Sequence, residues 1–349
     1  MGTFHPRIEE AINASARMDA LCEFIEFWLG PRQASFGEPS ESLAAHALPT
    51  PLYRLYEFAG RWPTWQNPEQ FVNVVPVFAT QDNLLALSRL EVAPDGKVIF
   101  LEENQAVWDC RTLGHGEDPP VWCCGDQFDE EGELFRGERL VCDSLSRFLT
   151  SFVLQEMTFG SQVCLSDDAL SALFEAQRAL TTPVWTKGEY VHSNDDEFRL
   201  WGHVLVSHPW QDSYWFGAND QEGMQFLKEN QSPVKMIGLL MWRPWTLEIG
   251  SDGSARLRYL KDQTDEFVDA PAKTFDFVEV LEILKNATSQ QGHHERNPMV
   301  FFRRQGQASS TAQHLHDTRM VTSLFQRTLQ QAIRPNRALT KRYHTEWPL

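Results

Sequence analysis

Past Gly60 the apolar side chains change period, and no chain built from one kind of element can carry both patterns. Before it, Ile8, Ile12, Ala16, Met18, Leu21, Phe24, Ile25 and Trp28 recur at helical spacing. Gly30-Pro31 stops that run, because proline cannot continue the hydrogen-bond ladder. Pro51 opens a second, shorter helix through Leu52, Leu55, Tyr56 and Ala59, at a position where the missing amide forfeits no bond, and Gly60 closes it. After it, Leu85, Leu87, Leu90 and Val92 lead into Asp95-Gly96. Asp-Gly between apolar runs marks a hairpin, since glycine supplies positive φ without steric cost. Val98–Leu101 and Ala106–Arg111 read as strands, the latter carrying Trp108. Pro119-Pro120 precedes Val121-Trp122, and a loop rich in glycine and acids runs from Gly125 to Gly137. A helix from about Ser144 to Met157 closes the unit, with Leu145, Phe148, Leu149, Phe152 and Val153 on one side.

A second unit begins near Ser166, in keeping with two domains for 349 residues. Asp167-Asp168 suits the N-terminus of a helix through Leu180. Strands are expected around Tyr190, Phe198–Val206, Tyr214–Phe216, Val234–Trp242 and Thr246–Ile249, the last turned by Asp252-Gly253 into Ala255–Tyr259. Gln221–Glu229 reads as a helix, Thr274 starts another through Leu284, Met299–Phe302 is a last strand and Val321–Ile333 a last helix. Thr288–Asn297 and Gln305–Thr311 are polar loops. The expected division is residues 1–165 and 166–349.

Apolar residues make up 42% and aromatics 12%, a globular balance that excludes disorder, collagen and coiled coil. The apolar stretch Met236–Trp242 is about a third of a membrane span. Glu9, Glu10, Arg17, Asp19, Glu23 and Glu26 fall where a signal peptide needs an unbroken apolar core, so a cytoplasmic protein without membrane contact is expected. Six cysteines without a CxxC pair read as free, buried thiols. Charge is uneven. Residues 1–165 hold 11 Lys+Arg against 25 Asp+Glu, residues 166–284 hold 10 against 20, and residues 285–349 hold 10 against 3. The acidic body repels nucleic acid, whose phosphates need clustered cations, so nucleic acid is not expected as a partner. The basic end is read as pairing with that body, with an anionic second partner as the alternative.

Two segments resemble a known family. LPTPLYRLYEFAGRWP (Leu48–Pro63) is similar to the proline-opened, glycine-ended helix of the SUKH superfamily, which includes cell-wall-assembly-regulator-like and bacterial toxin-immunity domains. VIFLEENQAVWDCRTLGHGEDPPVW (Val98–Trp122) resembles its strand delivering an acid-Asn-Gln group, then an aromatic strand, then Asp-Pro-Pro-Val and another aromatic. The resemblance covers about residues 1–165. It implies an α+β domain, helices packed on a mostly antiparallel sheet, followed here by a second α+β domain. It also implies a non-catalytic role in binding another protein, commonly a secreted bacterial toxin.

The candidate partner-binding residues are Glu102, Glu103, Asp109, Glu117, Asp118, Asp126, Asp129, Glu130, Glu131 and Glu133, an acidic surface of the kind that steers a basic partner into register. A solvated acidic face, with Asp118 as a turn device before Pro119, is the plainer reading. Trp108 and Trp122 fit the core by their period, with a partner anchor as the alternative. No phosphate-cradling, nucleophile-elbow or zinc-binding spacing occurs, and no cofactor or metal is expected. The histidine clusters His293-His294-Glu295 and His314-Leu315-His316 fall in polar stretches and read as surface. Two further readings stay open. One is an enzyme with its site in the C-terminal half or the interdomain cleft, the Trp/His-rich region Trp185–Trp215 being the most suggestive place. The other is a structural adaptor whose basic segment, residues 285–349, engages a second partner.

Overall fold

A computed structural model describes residues 7–64, 73–128, 134–191, 193–210, 213–241, 245–261, 264–289, 299–304, 312–315 and 318–346. Among these residues the fold is α+β: three antiparallel sheets with helices packed on them, in two compact units, Met1–Gln231 and Ser232–Leu349.

In the first unit α1 (Ala14–Leu29) begins later than the periodicity from Ile8 suggests. Asn13 caps it, the Oδ1 accepting from the Ala16 amide at 2.9 Å, and Gly30, at φ 98°, ends it. α2 (Ser40–Ala44) follows, then α3 (Thr50–Ala59), which opens on Pro51 and stops at Gly60. The first sheet contains β1 (Asp82–Leu84), β2 (Glu91–Val92), β3 (Lys97–Glu103), β4 (Trp108–Leu113), β5 (Val121–Phe128) and β6 (Leu134–Cys142). Its order is β1-β3-β4-β5-β6, with β2 beside β3 across the Asp95-Gly96 turn. Two segments differ from expectation. Ala106 lies in the β3–β4 turn at φ 58°, and much of Gly125–Gly137 is a hairpin paired from Val121↔Cys142 to Phe128↔Leu134. Pairing with a neighbouring strand overrides local propensities, which span only about 1 kcal/mol.

α4 (Leu145–Phe159) is buried nearly all round. Its apolar side meets the first sheet, where the Phe100 and Phe148 rings lie edge to face at 5.9 Å. Its polar side is buried too. Trp185 Nε1 donates to Ser151 Oγ at 3.0 Å, and the Glu156 carboxylate accepts from the backbone amides of Thr80, Gln81 and Asp82 between 2.6 and 3.2 Å.

The second sheet explains that burial. It joins β7 (Val163–Leu165), β8 (Thr182–Tyr190), β9 (Ser193–Trp201), β10 (Val204–Trp210) and β11 (Ser213–Ala218) in the order β7-β11-β10-β9-β8. Phe198–Val206 is therefore two strands, turned at Gly202 (φ 60°). One face sends Trp185, Phe198, Leu200 and Leu205 into the core shared with α4. The other packs Trp201, Val204, Val206 and Phe216 against α5 (Asp168–Gln177) and α6 (Gln221–Asn230). One core thus runs from Ile8 to Leu205, and position 165/166 lies inside the first unit, whose limit is Gln231.

The second unit holds β12 (Val234–Met241), β13 (Trp245–Gly250), β14 (Ala255–Lys261), β15 (Thr264–Ala270), β16 (Thr288–Ser289), β17 (Met299–Arg304) and β18 (Ala312–Leu315). They form one sheet, ordered β15-β14-β13-β12-β17-β18-β16. Asp252-Gly253 turns β13 into β14. Gly253 is at φ 77°, and a Cβ there would meet the Phe275 carbonyl at 2.2 Å. α7 (Phe277–Ala287) starts after Thr274 because Asp276 Oδ1 accepts from the amides of Val278 and Glu279. α8 (Thr318–Gln330) is followed by α9 (Arg337–Glu346), which the sequence reading lacks. Val321, Phe325, Leu339 and Tyr343 join Trp245, Leu247 and Leu257 in the core, so the basic segment packs on its own unit. No helix among the described residues is long and apolar enough to cross a membrane.

Candidate functional site

Strand register gives the first sheet two unlike faces. Val98, Phe100, Trp108, Cys110, Val121 and Cys123 point inward and are at most 5% exposed. Outward, the pairings Ile99↔Arg111, Arg111↔Trp122 and Trp122↔Leu140 align four residues in one row across β3 to β6. Leu140 is 54% exposed and Trp122 is half-buried, with Lys97 Nζ 4.7 Å from its ring centroid. Trp108 thus takes the core position its period suggests, while Trp122 faces out.

The ten sequence-selected acids do not form one surface. Glu102 and Asp109 are cross-strand partners on the outer face, and Asp126 lies farther along it. Asp109 is held by Arg111 at 2.5 and 2.9 Å, and Asp126 by Arg136 at 2.5 and 2.7 Å, whose hydrogen bonds hold the Asp126 carboxyl below its usual range. Glu103 closes the β3–β4 turn, accepting from the amides of Gln105 and Val107 at 2.6 and 3.4 Å. Glu117 is exposed in the loop at the opposite end of the strands. Asp118 turns toward α4, accepting from the Ser146 amide at 2.7 Å and the Ser144 hydroxyl at 2.6 Å, with Arg17 at 3.8 Å. It acts as a helix cap, and Asp118→Ala is expected to cost about 1–2 kcal/mol in denaturant unfolding. Asp129, Glu130, Glu131 and Glu133 lie outside the described residues. Sequence reading misses the cations as partners: Lys97 and Arg111 each lie two residues from their acids, Asp95 and Asp109, a period-two spacing that signals the pairs, while Arg136 meets Asp126 only through the β5–β6 register.

A second feature of the first unit is a cleft of about 840 Å³ where α1 and α4 end, beside the second sheet. Phe27, Phe36, Trp62 and Leu180 form its apolar walls, and His203, Asn219 and Asp220 lie at a polar end. Asp220 caps α6, accepting from the Gly223 amide at 2.8 Å, and faces His203 Nδ1 at 2.5 Å. Burial opposes its ionisation, yet these hydrogen bonds keep its carboxyl below the usual value. His203 Nε2 faces Glu222 at 3.4 Å. Both ring nitrogens therefore face carboxylates, which differs from a general base aimed at a hydroxyl or thiol. Of the other histidines in the Trp185–Trp215 region, His208 stacks on Tyr214 at 4.6 Å and His192 lies outside the described residues.

None of the six cysteines is in a disulfide, and Cys22, Cys110, Cys123 and Cys142 are buried. Burial pushes the thiol of Cys22 up to about 12 and that of Cys142 to about 11, so both remain protonated, and the Cys142 thiol donates to the Ser144 carbonyl at 3.1 Å. Among the described residues no three His, Cys, Asp or Glu are grouped to hold a metal ion; His293, His294, Glu295 and His316 lie outside them. Comparison with protein-family models, curated proteins and solved structures finds no match to this chain.

Proposed function

We propose that the chain is a non-catalytic protein-binding module whose first unit meets a cationic protein on the outer face of its first sheet. The row Ile99–Arg111–Trp122–Leu140 carries this reading: an apolar centre ringed by ion pairs is the anatomy of an interface, and tryptophan and arginine dominate binding hot spots. Charge supports the sign of the partner. Residues 1–231 hold 15 Lys+Arg against 36 Asp+Glu, a net of −21. Such a field speeds the arrival of a basic protein, while the burial of Trp122 and Leu140 sets how long it stays. With the SUKH-like motifs of residues 48–63 and 98–122, the finer reading is an immunity protein in the cytoplasm that occludes a secreted bacterial toxin domain.

Affinity capture from the native host tests this with the wild-type chain and a Trp122→Ala/Leu140→Asp variant. A basic protein held by the wild type and reduced at least tenfold with the variant, in line with about 2 kcal/mol for a hot-spot residue, is the expected result. Equal capture by both chains would overturn the assignment of this face.

A further inference from the structure

The cleft in the first unit has a chemistry that the protein-binding reading does not use. We propose that it binds a small organic cation, an ammonium or guanidinium group on an apolar stem. Its volume of about 840 Å³ is in the usual range for small-molecule sites, which combine apolar walls with a few polar groups. Phe27 is 39% exposed in the wall, beside half-buried Phe36, whose ring packs 4.7 Å from that of buried Trp62, and Leu180 is 79% exposed. Aromatic faces carry partial negative charge and attract cations.

The surrounding charges select the same sign. None of the residues lining the cleft is Lys or Arg, and Asp220 contributes a carboxylate. Two helices end here, α1 at Gly30 and α4 at Gly160, and neither has a basic residue in its last turn. The C-terminal end of a helix carries about half a negative charge. Neighbouring cations are engaged elsewhere. Arg32 donates to the carbonyls of Glu57 and Phe58, and Arg199 to Thr181 and Glu197. At the polar end the His203 imidazole and the N-terminus of α6 each face Asp220, with Glu222 on the far side of the imidazole. A carboxylate or phosphate ligand would meet two helix C-termini and a carboxylate; an organic cation meets complementary charge and aromatic faces.

Calorimetric titration of the full chain with three probes of matched shape tests this: phenethylammonium, phenethyl alcohol and phenylpropionate. The ammonium is expected to bind at least tenfold more tightly than the alcohol, with no measurable binding of the carboxylate. Asp220→Asn retains an oxygen to cap α6, and Leu180→Lys alters an exposed side chain, so both variants should fold. Each is expected to weaken the ammonium about fivefold, as loss of one nearby charge or gain of a like one requires at high effective dielectric. Trp122→Ala should leave the titration unchanged, which separates this site from the outer sheet face. Equal binding of all three probes, tightest binding of the carboxylate, or an ammonium affinity unmoved by both cleft variants would overturn the proposal.

Discussion

Replacing Glu156 with alanine is expected to destabilise the first unit by about 3 kcal/mol or more, since each buried donor left without an acceptor costs about 1–3 kcal/mol. Glu156 is fully buried, and its carboxylate gathers the amides of Thr80, Gln81 and Asp82, pinning the segment before β1 to α4. Glu156→Gln keeps one acceptor oxygen and matches the protonated carboxyl in charge, so it should cost less than Glu156→Ala. Chemical denaturation followed by circular dichroism measures both. The same site gives the fold a pH dependence. Burial, opposed by the hydrogen bond from Tyr190, pushes Asp82 up to about 6. Burial and then repulsion from Asp82, opposed by the amides, push Glu156 up to about 8. In the unfolded chain both carboxyls ionise near pH 4. Between about pH 4 and 8 the folded state therefore holds protons that the unfolded state has released, and stability falls as pH rises through that window. Asp82→Asn should flatten the lower part of this slope. The penalty of Glu156→Ala should be largest at the acid side of the window and narrow toward its alkaline side.

Truncation after Leu284 is expected to unfold the second unit. It removes β17, the partner of β12, together with Val300, Val321, Phe325, Leu339 and Tyr343, all at most 1% exposed. Each large core side chain removed costs about 2–5 kcal/mol, against about 5–15 kcal/mol for the whole stability of a typical domain. Tyr343→Ala alone should cost about 3–4 kcal/mol, because the ring stands edge-on to buried Trp245 at 5.5 Å. Limited proteolysis should show the second unit digested while the first survives. A truncated chain with the second unit intact would restore the adaptor reading, in which residues 285–349 form a separable arm.

Local chemistry was legible in the sequence; the joining of layers was not. Pro51, Asp167 and the Asp-Gly pairs act within a few residues: Pro51 opens α3, the Asp167 carboxylate caps α5, and Gly96 and Gly253 take positive φ; Gly60 ends α3 in the ordinary right-handed region. α4 shows where such reading stops. Its apolar stripe is visible in the sequence, but nothing local shows that Trp185 and residues 80–82 cover Ser151 and Glu156. That covering extends the first unit past residue 165, and nothing local to 165 signals it. The acid-rich stretch after Gly125 looked like a loop because its composition disfavours strands, yet β5 and β6 pair through most of it. A period-two pattern fixes alternation but not which face is buried, so it reads Trp122 inward where the register turns it outward. Of the acidic surface, Glu102, Asp109 and Asp126 do share a face; Asp109 pairs with Arg111 two residues along its own strand, whereas the pairing of Asp126 with Arg136 depends on the β5–β6 register, which the sequence does not show.

Hydroxyl-radical footprinting of the chain alone and bound to its captured basic partner bears most directly on the assignment of the outer sheet face. Oxidation of Ile99, Trp122 and Leu140 is expected to fall sharply in the complex, while Phe27 and Leu180 in the cleft stay as reactive as in the free chain. Protection confined to Phe27 and Leu180, with Trp122 and Leu140 unchanged, would contradict it.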